Sequence, residues 1–234
     1  MPGASEAIER LRRCGAEFVF VTNSAQRTPA QVAENLARHG IDDAGDLVIT
    51  AALAAATLIE PGETVLAIGS EGLFDALTNR GANVVTSGAA DAVVMGITAD
   101  FDYSHMTSAM KAIRGGARFI ATNDDSTFPD TKGLLPGNGA LVASVSTASG
   151  VAPVVAGKPH GAMATLVRQR LGGDGIMVGD RADTDGLFAK VLGFRFGLVL
   201  SGVVGAEDLP VDPAPDLLAD NLLSMVEEQL SDRI

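Results

Sequence analysis

The run VGDRADTD, from Val178 to Asp185, constrains the fold more than any other stretch of this chain. Ile176, Met177, Val178 and Gly179 lead into Asp180, the pattern of a buried parallel strand reaching its carboxyl end. Asp183, Thr184 and Asp185 then open a predicted helix whose apolar face is Leu187, Phe188 and Val191. Three carboxylates within six residues repel one another, so this corner favours a bound cation. A hard ion such as Mg²⁺ suits it, because that ion takes one or two protein carboxylates together with phosphate oxygens and water. The plainer alternative is an acidic turn in which Thr184 or Asp183 caps the next helix.

With 234 residues, 47% of them hydrophobic, the chain has enough material for one large domain or two smaller ones. A formal net charge of −12 disfavours nucleic acid and anionic membrane as partners, since both need clustered Lys and Arg. It leaves room for a small phosphorylated molecule, which one lysine and a metal can neutralise. The single cysteine, Cys14, has no intrachain partner and fits a reducing cytoplasm. No apolar run reaches the length of a membrane span, and the first residues have neither the basic nor the apolar part of a signal peptide.

Punctuation along the chain predicts an α/β architecture. A helix over residues 4–13 is stopped by Gly15, and Phe18–Val21 follows as an apolar strand buried on both faces. That strand ends at Thr22-Asn23-Ser24, at the edge where open α/β sheets bind ligands. Thr28 then caps a helix with Pro29 in its first turn, Gln31 closing a capping box and Gly40 at its end. Strands at 65–68, 92–95 and 118–121 alternate with helices at 73–79 and 104–114. Gly69 and Gly72 flank one turn without the spacing of a dinucleotide fingerprint. Val154 and Val155 lead into Gly157-Lys158-Pro159, followed by a helix carrying Met163, Leu166, Val167 and Leu171. A strand at 196–200 and a last helix at about 217–230 complete the prediction. The fold class is therefore a doubly wound parallel-sheet core, residues 1–50 and 151–234, with an α/β domain inserted at 51–150.

Three motifs in order carry a resemblance to a known family: VTN at Val21–Asn23, GKP at Gly157–Pro159 and VGDRADTDG at Val178–Gly186. Together they resemble the haloacid dehalogenase (HAD) superfamily, and within it the subclass IIA, nitrophenyl-phosphatase-like branch with a large α/β cap. RFIATNDDSTFP (Arg118–Pro129), GLLPGNGALV (Gly133–Val142) and VLSGV (Val199–Val203) resemble the same branch. The resemblance implies a Mg²⁺-dependent hydrolase of small phosphomonoesters, whether sugar, glycerol, nucleoside or aryl phosphates. It implies that Thr22 offers its hydroxyl and amide to phosphate oxygens and that Asn23 fixes the same loop. Lys158 would place a positive charge beside the phosphate. Asp180 would ligate Mg²⁺, with Asp185 completing the metal corner by orienting the metal's water or Lys158. Asp183 is assigned only a helix-capping role. Asn123 and Asn138 either reach the substrate pocket or serve as turn residues. A homodimer through the cap is a further expectation.

The resemblance also exposes a gap. The superfamily's first strand ends in Asp-x-Asp-Gly, whose first aspartate attacks phosphorus and whose second acts as general acid and base. Pro2-Gly3-Ala4 resembles the helix start that follows this motif, and only Met1 precedes it. The letters recur only at Asp183-x-Asp185-Gly186, inside the metal corner. We therefore expect the native protein to be longer, through truncation or a misassigned start, and this chain to be inactive. A missing central strand would also leave the strands ending at Thr22 and Asp180 without their shared neighbour. The alternative is a non-catalytic relative that binds phosphate or a phosphometabolite.

Overall fold

The computed structural model describes residues 3–130 and 133–231; Met1 and Pro2, where the missing motif would join, lie outside them. The chain forms two compact units. One comprises Met1–Phe20, Ala33–Leu47 and Lys158–Ile234, and the other Val21–Val32 and Val48–Gly157.

Local signals account for the first elements. Helix α1 (Ala4–Arg13) buries Ala7 and Ile8, and strand β1 (Phe20–Thr22) follows. Helix α2 (Pro29–Ala37) starts at the predicted capping box. Thr28 N–H donates to Gln31 Oε1 at 2.9 Å, and Gln31 N–H donates to Thr28 Oγ1 at 3.2 Å. Strand β2 (Val48–Thr50) is fully buried and runs straight into helix α3 (Ala51–Ala56), capped by the Thr50 hydroxyl. β1 and β2 form a two-stranded sheet of their own. β1 is only half-buried, against the two-sided burial expected for Phe18–Val21. Among the described residues it has a strand on one edge alone.

The second unit is a doubly wound sheet. Its elements are β3 (Thr64–Ile68), α4 (Glu71–Asn79), β4 (Asn83–Val85), β5 (Ala92–Met95), α5 (Tyr103–Arg114) and β6 (Arg118–Ala121). A hairpin of β7 (Thr127–Asp130) and β8 (Gly133–Pro136) follows, then α6 (Asn138–Ser149) and β9 (Val154–Val155). The five parallel strands lie in the order β4-β3-β5-β6-β9. Leu66, Ile68, Val93, Met95, Phe119 and Ala121 share one face and pack on α5 and α6 through Ala109, Ile113, Val142 and Val145. The opposite face, with Val65, Ala67, Val94 and Ile120, is equally buried. Burial on both faces is what continuous apolar runs specify, and each fully buried Val or Leu contributes about 1.5–3 kcal/mol.

Residues 21–32 group with this unit rather than with the first. Hydrogen bonds hold them there: Gly72 N–H donates to the Gln26 carbonyl at 3.1 Å, and Gln31 Nε2 to Glu71 Oε2 at 2.8 Å. A Cβ on Gly72 would overlap the backbone of Arg27, so this glycine serves close packing of two chain segments.

In the first unit, helix α7 (Gly161–Leu171) precedes strand β10 (Ile176–Gly179), and a wide turn at Ala182–Gly186 leads into helix α8 (Leu187–Leu192). β11 (Arg195–Val199), β12 (Leu217–Ala219) and helix α9 (Leu222–Ser231) complete it. The parallel sheet runs β10-β11-β12. Two expectations are corrected here. Residues 217–219 are a strand on β11, and the last helix begins only at Leu222, where Asn221 Oδ1 accepts from Ser224 N–H at 3.1 Å. In α8 the buried residues are Phe188, Ala189 and Leu192, whereas Leu187 and Val191 are exposed. The turn before α8 has π geometry, and its extra residue rotates the following face. No helix among the described residues is long and apolar enough to cross a membrane.

Candidate active site

Lys158, Asp180 and Asp185 come together in the first unit, at the carboxyl end of β10. Lys158 Nζ donates to Asp185 Oδ1 at 2.6 Å, with both side chains nearly buried. The other oxygen of Asp185 accepts the N–H groups of Asp180 (3.2 Å) and Arg181 (3.3 Å). Gly179 is a glycine because its Cβ would overlap the Asp185 carboxylate. Asp180 Oδ2 accepts Val203 N–H at 2.8 Å, and a Cβ on Gly202 would overlap that same carboxylate. Gly202 and Val203 are the site residues that sequence reasoning left unassigned, although the VLSGV stretch was their signal.

The cations that offset this acidic corner come from the chain itself. Lys158 neutralises Asp185. Arg181 holds Asp183 through Nε at 3.1 Å and Nη2 at 2.9 Å. Asp183 therefore does not cap the helix as expected, and the Arg181 hydrogen bonds hold its carboxyl below the usual aspartate range. Two of the three carboxylates thus have a cation of the chain itself beside them. Asp180 keeps Oδ1 without a hydrogen bond among the described residues. Asp185, its oxygens taken by Lys158 and two amides, is placed to hold the lysine rather than to ligate an ion. No group of three His, Cys, Asp or Glu able to hold a metal occurs among the described residues. Asp180 alone does not complete a magnesium site.

Thr22, Asn23, Asn123 and Asn138 lie in the second unit. Thr22 Oγ1 accepts Ser24 N–H at 3.1 Å. Asn23 Nδ2 donates to the Asp125 carboxylate at 3.2 Å and 3.4 Å. Asn123 and Asn138 are 5% and 1% exposed, and their amide groups donate to main-chain carbonyls. Of the two roles open to them in the sequence, burial and these partners favour the structural one. Gly157 of the GKP motif belongs to this unit, and a Cβ there would come within 2.6 Å of the Thr122 carbonyl oxygen and 2.7 Å of Asn23 Oδ1.

Comparison with known proteins agrees with the motifs. The haloacid dehalogenase-like hydrolase profile matches residues 1–83, and a second HAD-hydrolase-like profile matches residues 155–225. An acid sugar phosphatase of Staphylococcus epidermidis is 36% identical over 219 residues, which cover 91% of this chain and 85% of that protein. The chain belongs to subclass IIA of the HAD superfamily. Among solved HAD structures, p-nitrophenyl phosphatase from Archaeoglobus fulgidus superimposes with a TM-score of 0.91 at 31% identity, covering 97% of this chain and 92% of that one. A glycerol phosphate phosphatase from Mycobacterium tuberculosis in complex with magnesium gives 0.89 at 36% identity, covering 96% and 70%. The α/β fold with parallel sheets is the one these HAD relatives share.

Proposed function

We propose that the chain is the scaffold of a magnesium-dependent phosphatase acting on a small phosphorylated metabolite, with turnover by this chain itself near background. The observation that carries the reading is the buried Lys158–Asp185 ion pair beside the half-open carboxylate of Asp180. A lysine locked at a strand end is pre-organised to stabilise charge that builds on a phosphoryl group, without reorganisation at the moment of reaction. Within the second unit, Thr22 and Asn23 would offer a hydroxyl and amide N–H groups to phosphate oxygens. The inserted cap would select the substrate, and sugar or glycerol phosphates are favoured by the relatives' own substrates. Because Asp180 alone does not complete a magnesium site, the metal enters this reading only together with an Asp-x-Asp-Gly segment. Exposed Leu134 and Leu135 on the β7–β8 hairpin support a pairing of two caps, and exposed Cys14 suits a reducing cytoplasm.

The test adds an apolar strand ending in Asp-x-Asp-Gly ahead of residue 2 and measures hydrolysis of p-nitrophenyl phosphate. Turnover is expected to rise by roughly 10⁴-fold or more over the chain alone, the order seen when a nucleophile is restored, and to vanish with a chelator. A folded extended protein without turnover would overturn the reading. A second reading, a phosphometabolite-binding relative, is favoured by Asp185, whose oxygens are already taken by Lys158 and two amides. Calorimetric binding of phosphate with Mg²⁺ by that extended protein, without hydrolysis, would establish it.

A further inference from the structure

We infer that Asp125, Asn123 and Asn138 are positioning residues for the Thr22–Ser24 loop, an inference that rests on the phosphate-binding role proposed for that loop. Three links connect them, all inside the second unit.

Asn138, the first residue of α6, donates from Nδ2 to the carbonyl of Asn123 at 2.8 Å, and more weakly to Met95 O and Thr122 Oγ1. Two glycines set it in place. Gly137 N–H donates to Ser126 O at 2.8 Å and Gly139 N–H to Asp125 O at 2.9 Å, and a Cβ on either would overlap the carbonyls of Asp124 or Asp125. Asn123 in turn donates from Nδ2 to the carbonyl of Asn23 at 2.8 Å, while its Oδ1 accepts Asp125 N–H at 3.2 Å. Asp125 closes the circuit by accepting the Asn23 side-chain amide. The carbonyl and the side chain of Asn23 are thus both gripped by residues about a hundred positions away.

The consequence follows from peptide planarity. Fixing the Asn23 carbonyl fixes the plane that carries Ser24 N–H, and that N–H donates to Thr22 Oγ1 at 3.1 Å. With its lone pair so engaged, the Thr22 hydroxyl keeps its proton for an anion. A turn needs no such grip on a side chain. A loop that must present a hydroxyl in one orientation does, because ordering the donor beforehand removes that cost from binding.

The experiment uses the whole chain labelled with ¹⁵N and two substitutions. Asn123→Asp keeps shape but sets a carboxylate against the Asn23 carbonyl, and Asp125→Ala removes the acceptor of the Asn23 amide. Backbone order parameters of Thr22, Asn23 and Ser24 should fall from the rigid value of about 0.85 towards about 0.6 in both, while those of β3 and β5 stay unchanged. Inorganic phosphate, followed by the same amides, should bind about tenfold more weakly. Asp125→Asn, which preserves shape and one acceptor, should lose less on both readouts and guards against a variant that fails to fold. Unchanged order at residues 22–24 in all three variants would overturn the clamp. Absence of any phosphate response in the unsubstituted chain would instead overturn the phosphate-binding role proposed for the loop, with the order parameters still deciding the clamp.

Discussion

Strands β5 and β10 are written in nearly the same alphabet, Ala-Val-Val-Met against Ile-Met-Val-Gly, yet they meet different fates. All four residues of β5 are buried, whereas only Met177 of β10 is. β5 has a parallel neighbour on each edge, β3 and β6; among the described residues β10 has β11 alone. In these two strands burial follows the number of neighbours, and half-buried β1 agrees. β2, however, is fully buried with β1 alone beside it among the described residues, so a second strand is not the sole way to cover an apolar run. The two units compensate differently. The second rests on a five-stranded sheet packed on both faces. The first carries a near-buried ion pair at the end of its open-edged strand.

The largest expected effect attacks that ion pair. Lys158→Met strands the Asp185 carboxylate, 7% exposed, without its cation. Breaking a buried pair from one side costs about 3–5 kcal/mol, read as a shift of the urea midpoint. Lys158→Met combined with Asp185→Leu should recover much of the loss. A single substitution that proves neutral would show that the first unit does not depend on this pair.

A second pair of substitutions compares the sheets directly. Leu66→Ala, at a fully buried β3 position, should cost about 2–5 kcal/mol through lost burial and the cavity left behind. Val178→Ala, on half-buried β10, should cost about 1 kcal/mol or less, since a small half-exposed side chain forfeits little contact. Adding the Asp-x-Asp-Gly strand sharpens the contrast, because it should raise the cost at Val178 and leave the cost at Leu66 alone. An equal cost at Val178 with and without that strand would sever the proposed link between β10 exposure and the added strand.

What the sequence made legible follows the range of the forces involved. The Thr28–Gln31 capping box spans four residues and was readable because its hydrogen bonds are local. The runs at 92–95 and 118–121 were readable because two-sided burial removes any polar alternation. Leu217–Ala219 was misread as helix since its strand identity comes from pairing with β11, some twenty residues earlier. The apolar face of α8 was misread because an additional residue in the preceding turn changes the phase without changing composition. In the site, Lys158 and Asp180 were legible only through ordered motifs. Arg181 as the partner of Asp183, and Asp125 as the partner of Asn23, were not, since nothing in a single sequence marks which charge or amide meets which.

The smallest effect concerns acid sensitivity at a helix cap of the second unit. Asp102 caps α5, accepting His105 N–H at 2.8 Å and meeting the His105 ring at 2.8 Å. The His105 amide, followed by the ring, holds its carboxyl below the ordinary aspartate value of 3.8. A folded value lower than the unfolded one means that the native state binds fewer protons in acid. The contribution to stability is therefore complete above the unfolded value and drains away as pH falls through the depressed folded one. Asp102→Asn keeps a side-chain acceptor of equal capping preference but cannot titrate. At neutral pH the two proteins should have nearly equal urea midpoints, with the native protein slightly ahead through the charge at the helix start. Below about pH 4, near the unfolded aspartate value, that lead should close. In about 1 M salt, where the screening length falls to roughly 3 Å, it should shrink at every pH. Parallel pH curves for the two proteins would show that the Asp102 carboxylate adds no acid sensitivity to the second unit.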